Sequence, residues 1–256
     1  MQTIIIGGSS ESEVTEETVT ALLVSFFSAD IMNTVCFVVL KIDRNSSCIR
    51  YWIKSAFSKY NNSFMTEMEK GKIRITGGKW KGKKISFEIN SKLRPTPDRA
   101  KEMVFNWLGN DLKNYNCLDI FAGTGAMGLE SLSRGAKKVD FIEKDVRASQ
   151  ILKKNLIDMT DRITFNVFNE SYETWFKKND SKFSYDLIFI DPPFEKNFVE
   201  KVFNLIEEKK IYRLNTVFYL EAEKKINLDF LFVDYEIFKE KTMGRKSYRL
   251  LRKKVT

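Results

Sequence analysis

The segment Asp191-Pro192-Pro193-Phe194 carries the most distinctive chemistry in the sequence. It follows the apolar run Tyr185 to Ile190, so it is expected at the end of a strand. Two prolines fix the backbone, so the Pro192 carbonyl is held rigidly with no local N–H competing for it. The Asp191 carboxylate and that carbonyl make two neighbouring acceptors, which suit the two hydrogens of an exocyclic amine. Accepting both draws the nitrogen lone pair out of conjugation with its ring and toward an electrophile. Phe194 offers a flat face on which a base can stack. Taken alone, such a motif also serves as a plain strand terminator over a buried aromatic.

A second constellation lies upstream. In Asp119-Ile-Phe-Ala-Gly-Thr-Gly-Ala-Met-Gly-Leu-Glu130, Gly123, Gly125 and Gly128 fit the spacing GxGxxG after a short apolar run. Glu143 stands 20 residues beyond Gly123, at the end of the next apolar run. Glycines let the backbone approach a ligand, and the carboxylate suits ribose hydroxyls. The spacing first suggests a nicotinamide cofactor, but three features argue otherwise. Asp119 precedes the loop with its acid facing it, Asp-Pro-Pro-Phe closes a later strand, and no second nucleotide-binding half is visible. The bland alternative is a tight strand-to-helix turn without a ligand, and strand, glycines and acid together stand against it.

The composition removes whole classes of chemistry. Among 256 residues there are 43 Lys+Arg, 34 Asp+Glu and no histidine, for a net charge of +9. Without imidazole there is no Ser-His-Asp or Cys-His machinery and no His-ligated metal. Catalysis must run on carboxylates, amides, backbone groups or an electrophilic cofactor. Cys36, Cys48 and Cys117 form no CxxC pair, so no metal is expected. Odd cysteine usage without a secretory signal predicts reduced thiols and a cytoplasmic location. The most apolar stretch, Val19 to Leu40, is interrupted by Asp30 and Asn33, so no membrane span is expected.

Three parts are expected to position these residues. Residues 1–68 hold five basic and seven acidic side chains and no recognisable motif. They are either a small appended unit of unknown role or sequence upstream of a start at Met65 or Met68. Residues 69–92 predict a basic β-hairpin, with Ile73 and Ile75, a turn at Gly77-Gly78, then Trp80, Ile85 and Phe87. In residues 93–256, Thr96 and Pro97 predict a helix cap, and Ala100, Met103, Val104, Trp107 and Leu108 one apolar helix face ending at Gly109. Strands are then expected at Cys117–Phe121, Val139–Ile142, Ile163–Phe168, Tyr185–Ile190 and Thr216–Leu220. Helices separate them, and a closing hairpin pairs Tyr235–Phe238 with Tyr248–Leu251. This alternation predicts an α/β fold with a mostly parallel sheet, helices on both faces and ligands at the carboxyl ends of the strands.

Taken together, Asp119 to Glu130, Glu143 and Asp191 to Phe194 resemble the motifs of S-adenosylmethionine-dependent amino-methyltransferases. The segments Arg74 to Lys84, Leu93 to Arg99 and Val104 to Leu108 sharpen the resemblance to one family, the bacterial 16S rRNA guanine-966 N2-methyltransferases. It runs from about Lys72 to Lys254 and leaves the N-terminal segment outside. The resemblance implies a class I, Rossmann-like fold of seven strands, with the last one antiparallel, over residues 93–256. It implies S-adenosylmethionine as cofactor, with Asp119, Gly123 and Gly125 along its methionine part, Glu143 on the ribose, Asn169 at the adenine edge, and Phe121 also among the cofactor-binding residues. Arg94-Pro95-Thr96 would close over it. Asp191, Pro192 and Phe194 would handle the guanine N2. The partner implied is 16S rRNA within the small ribosomal subunit, met by a monomer. Rival readings are an adenine-N6 methyltransferase, which uses the same acceptor pair, and a non-catalytic RNA-binding assembly factor. An NAD-dependent oxidoreductase is more distant.

Two basic runs flank this core. Residues 69–90 hold seven basic side chains against two acidic, and residues 239–256 eight against one. Lys79, Lys81, Lys83 and Lys84 surround Trp80, and they are expected to alternate along a strand whose one face follows an RNA backbone. Arg245 is the expected contact in the C-terminal run. The bland alternative for both is a solvated face.

Overall fold

Asp119, Glu143 and Asp191 all stand at the carboxyl ends of neighbouring strands of one sheet, and the chain's winding puts them there. The computed structural model describes residues 70–88, 96–159, 164–179, 184–193 and 198–254. All of them belong to one compact unit, residues 65–256. The N-terminal extension, the Arg94-Pro95 pair and Phe194 lie outside the described residues.

Seven strands form the main sheet: β3 (Asn116–Asp119), β4 (Lys138–Ile142), β5 (Phe165–Phe168), β6 (Tyr185–Ile190), β7 (Tyr212–Glu223), β8 (Tyr235–Met243) and β9 (Lys246–Lys253). Their order is β5-β4-β3-β6-β7-β9-β8. From β3 to β7 the pairings are parallel, while β9 runs antiparallel to both β7 and β8. The last strand is therefore the antiparallel one, as the resemblance implies. The chain winds outward from β3 to β5, then returns to β6 on the other side of β3. The carboxyl ends of β3, β4 and β6 thus flank the switch point where open α/β sheets bind ligands.

Side-chain alternation divides the interior into two cores. Leu187, Phe189 and Tyr219 face one, which also takes up α1 (Asp98–Leu108), α2 (Ala126–Ser133) and α3 (Val146–Ile157). Ile188, Ile190, Phe218 and Leu220 face the other, beneath α4 (Tyr172–Lys178) and α5 (Phe198–Lys209). Asp145 starts α3 by accepting from the Ala148 N–H at 2.8 Å, and Ser171 caps α4 in the same way through Thr174.

The basic hairpin is a separate two-stranded sheet of β1 (Lys70–Arg74) and β2 (Lys84–Glu88), with Ile73 opposite Ile85. It docks by burying Ile73, Ile75, Ile85 and Phe87 in the first core. Burial of such side chains contributes roughly 2 kcal/mol each. A polar clamp fixes its register. Thr76 donates to Glu130 through both its N–H and its hydroxyl, each at 2.8 Å, and Arg134 pairs with Glu130 at 2.8 Å. Gly78 is required here. Its φ is +74°, and a Cβ would lie 1.9 Å from the Ser133 carbonyl oxygen.

The structure corrects several expectations. Thr96 does not cap α1: Pro97 holds the cap position, and the Thr96 hydroxyl points to Glu221 instead. The α1 face that packs also includes Phe105 and the fully buried Lys101, whose ammonium is taken up by the Arg74 carbonyl and by Asp98. The strands at the C-terminal edge are longer than their apolar runs, because charged residues there are paired. Gly77-Gly78 makes no tight turn between strands. Residues 75–83 form the connection, with a single 3-10 turn at Gly78–Trp80. Lys79, Trp80, Lys81 and Lys83 therefore sit in that connection and do not alternate along a strand; only Lys84 begins β2.

Candidate active site

Each acid of the site ends or nearly ends a strand. Asp119 is the last residue of β3 and is 5% exposed. Its Oδ2 accepts from the Gly128 N–H at 3.3 Å, so the carboxylate ties the strand to the helix that follows the glycine loop. Burial pushes its pKa up to about 7, and the nearby Glu143 charge adds to this, against hydrogen bonds from the Gly128 and Phe121 backbone. Glu143 follows β4. It accepts from the Gly123 N–H through one oxygen and from the Asp145 N–H through the other, each at 2.7 Å. It too is raised, mainly by burial. Each Glu143 oxygen keeps a lone pair for a further donor.

The loop between them is built for close approach. Gly125 has φ +74° and stands at the N-cap of α2, where a Cβ would lie 2.3 Å from Leu152 Cδ1. A larger residue would push the loop off α3. A cavity of about 310 Å³ opens beside the loop, lined by Gly123, Thr124, Phe87, Arg147, Ile151 and Asn155 among others. Phe121, after β3, is part of an aromatic group, with its ring 5.2 Å from Tyr172 and 6.3 Å from Phe198. Asn169 is exposed after β5, and its amide donates to the Glu143 and Lys144 carbonyls at 2.9 and 3.2 Å. It braces the turn that carries Glu143.

Asp191 follows β6. Its residue keeps some exposed surface, while its carboxyl end lies deep among protein atoms. Burial raises its pKa well above the ordinary carboxylate range. Glu221 and Asp119 raise it further and Lys246 opposes them. Pro192 is buried beside it. Glu221 is a site residue that the sequence reading missed. It is fully buried in β7 and accepts from the Tyr219 hydroxyl at 2.8 Å, from Lys246 Nζ and, more weakly, from the Thr96 hydroxyl at 3.5 Å.

Three raised acids stand at neighbouring strand ends beside the glycine loop, a region short of positive charge. A cofactor bearing a sulfonium and an ammonium fits that electrostatic demand, and the glycine loop and Glu143 leave backbone and carboxylate atoms for its amino-acid and ribose parts. When bound, S-adenosylmethionine supplies an electrophilic methyl group.

The two basic runs differ. Lys79 lies over the Trp80 ring at 4.3 Å, and Lys81, Lys83 and Lys84 are exposed. In the C-terminal run, Lys246, Arg249, Arg252 and Lys253 pair with Glu221, Glu240, Glu236 and Glu207. Half of the eight basic side chains of that run are thus held by acids of neighbouring strands. Arg245 remains exposed at the β8–β9 turn.

This fold and pocket define an S-adenosylmethionine-dependent methyltransferase of the Rossmann-like type. Residues 73–252 match the family described as Conserved hypothetical protein 95, and the chain belongs to that family. It is 40% identical to Ribosomal RNA small subunit methyltransferase D of Haemophilus influenzae over 186 residues, 72% of this chain and 96% of that protein. With the protein of that name from Escherichia coli it shares 36% identity over 180 residues, 70% of this chain and 89% of the other. A solved Escherichia coli structure described as a methyltransferase superposes with a TM-score of 0.64 at 34% identity, covering 72% of this chain and 98% of that one.

Proposed function

We propose that this protein methylates the exocyclic N2 amine of a guanine in 16S rRNA of the small ribosomal subunit. The observation that carries the reading is the set Asp119, Glu143 and Asp191 at neighbouring strand ends around a glycine loop, in a chain that belongs to this family. Asp119, Phe121, Gly123, Gly125, Glu143 and Asn169 hold the cofactor in this reading. The names of the relatives support ribosomal RNA of the small subunit as the substrate.

The residues act by orientation and polarisation. The Asp191 carboxylate and Pro192 carbonyl accept the two amine hydrogens and leave the lone pair directed into the cleft. Phe194 stacks on the base. The methylated amine then gives up a proton, for which Asp191 is the adjacent acceptor. No imidazole is needed, which suits a chain without histidine. A base inside a helical stack cannot present its amine to this cleft, so the target is unstacked or in a loop. The exposed lysines of the hairpin connection and Arg245 meet the phosphate backbone. The protein works as a monomer in the cytoplasm, on 16S rRNA within the small ribosomal subunit.

Asp191→Ala is the direct test. It should abolish methyl transfer to small subunits from a strain lacking the modification, while S-adenosylhomocysteine still binds in calorimetry. An active Asp191→Ala protein would overturn the role assigned to this residue.

A further inference from the structure

The cluster behind Asp191 is more elaborate than strand termination requires. Ile190 pairs with Leu220 in the parallel β6–β7 ladder, so the next residues, Asp191 and Glu221, stand side by side. Glu221 is opposite Tyr248 across the β7–β9 ladder, and Lys246 reaches back to it from the start of β9. A fully buried carboxylate thus sits next to the acceptor residue, anchored by a lysine, a phenol and a hydroxyl. Burying a charge is costly unless it is paired, and a pair of similar volume in apolar residues would serve stability as well or better. Its place beside the reacting group points to another role.

We propose that Glu221 and Lys246 are positioning residues for methyl transfer, a buried pair beside Asp191 that acts on its charge with opposite sign so that it can receive the proton lost by the acceptor amine. This rests on the reading above. Glu221 crowds Asp191 with like charge and makes it a better proton acceptor. Lys246 opposes that effect and favours the carboxylate form. The groups acting on Asp191 are Glu221 in β7, Lys246 in β9 and Asp119 in β3. The Tyr219 and Tyr248 hydroxyls belong to the same cluster, and both phenols are raised by burial and then by Glu221 and Asp191. The proton balance is simple. The nitrogen gains a methyl and loses one hydrogen, Asp191 takes that proton, and it returns it to solvent as product leaves.

The test uses the full chain and two variants of opposite sign. The Asp191 carboxyl is titrated by carbon-13 NMR in the free enzyme, and the acid limb of the kcat profile is measured on small subunits. Lys246→Met should move the Asp191 midpoint up, and Glu221→Gln should move it down, each by on the order of one pH unit. The acid limb should follow in the same directions. Lys246→Arg keeps the charge and should restore the wild-type midpoint. Lys246 is partly exposed, so its variants remain informative if Glu221→Gln fails to fold. Midpoints that stay fixed, or move the same way in both folded variants, would overturn the proposal. Opposite NMR shifts in an enzyme that methylates no rRNA would sustain the charge coupling and overturn the functional reading instead.

Discussion

Replacing Asp119 by asparagine separates the two demands that this site makes on its acids. Asparagine keeps an oxygen for the Gly128 N–H but removes the buried charge. The Asp119 pKa is raised from 3.8 to about 7 in the folded protein. A raised acid stabilises the fold while protonated, and that contribution is lost as pH climbs from about 4 through 7. At pH 8 the ionised carboxylate therefore costs roughly 4 kcal/mol, and at pH 5 about 2 kcal/mol. These are upper figures, because asparagine forms weaker bonds to the loop than a carboxylate does. In a domain of this size 1 kcal/mol is about 2–4 °C in Tm. Asp119→Asn should melt higher than wild type, with a gain at pH 8 about twice that at pH 5. Thermal unfolding of the free protein at the two pH values measures this. The same variant should bind S-adenosylmethionine more weakly, with a smaller loss for S-adenosylhomocysteine, which lacks the sulfonium charge. A variant that melts lower than wild type at pH 8, or whose Tm change ignores pH, would refute the reasoning.

Other perturbations probe different links. A Lys81/Lys83/Lys84→Glu protein should keep its Tm within a few degrees, since these side chains are exposed, yet lose RNA affinity and much of its salt dependence in filter binding. Equal binding across salt would count against the hairpin as an RNA contact. Among the described residues, Arg134→Met leaves Glu130 buried with Thr76 as its remaining partner. It should cost about 3 kcal/mol in denaturant unfolding, and adding Glu130→Gln should recover part of this. A loss under about 1 kcal/mol would show that the clamp contributes little to docking the hairpin.

The sequence made the site's outline readable because its first residues are chemically unusual. Three glycines, two adjacent prolines and acids at the ends of apolar runs are hard to explain as packing alone. Strand β6 spans Tyr185–Ile190 as its apolar run predicts, since it is buried on both faces. Glu221 escaped notice for the opposite reason. In Phe218-Tyr-Leu-Glu-Ala222 a lone acid after an apolar run reads as the end of a strand, whereas β7 continues through it. Only pairing across the sheet brings Lys246 to that acid, some 25 residues on. Lys101 was hidden similarly, because its partners are a carbonyl of the hairpin and Asp98. The pairing of half the C-terminal basic run was not legible, because charge counts along the chain ignore the acids of neighbouring strands. Its signal was present in Glu236 and Glu240, which stand opposite Arg252 and Arg249 once the hairpin forms.

The central claim is methyl transfer to a guanine amine of small-subunit rRNA. The most direct measurement incubates the protein with tritiated S-adenosylmethionine and small ribosomal subunits lacking the modification, then digests the rRNA to nucleosides. The account predicts label in N2-methylguanosine with wild-type protein and none with Asp191→Ala. Label in N6-methyladenosine, or no label from a protein that binds both cofactor and subunit, would contradict it.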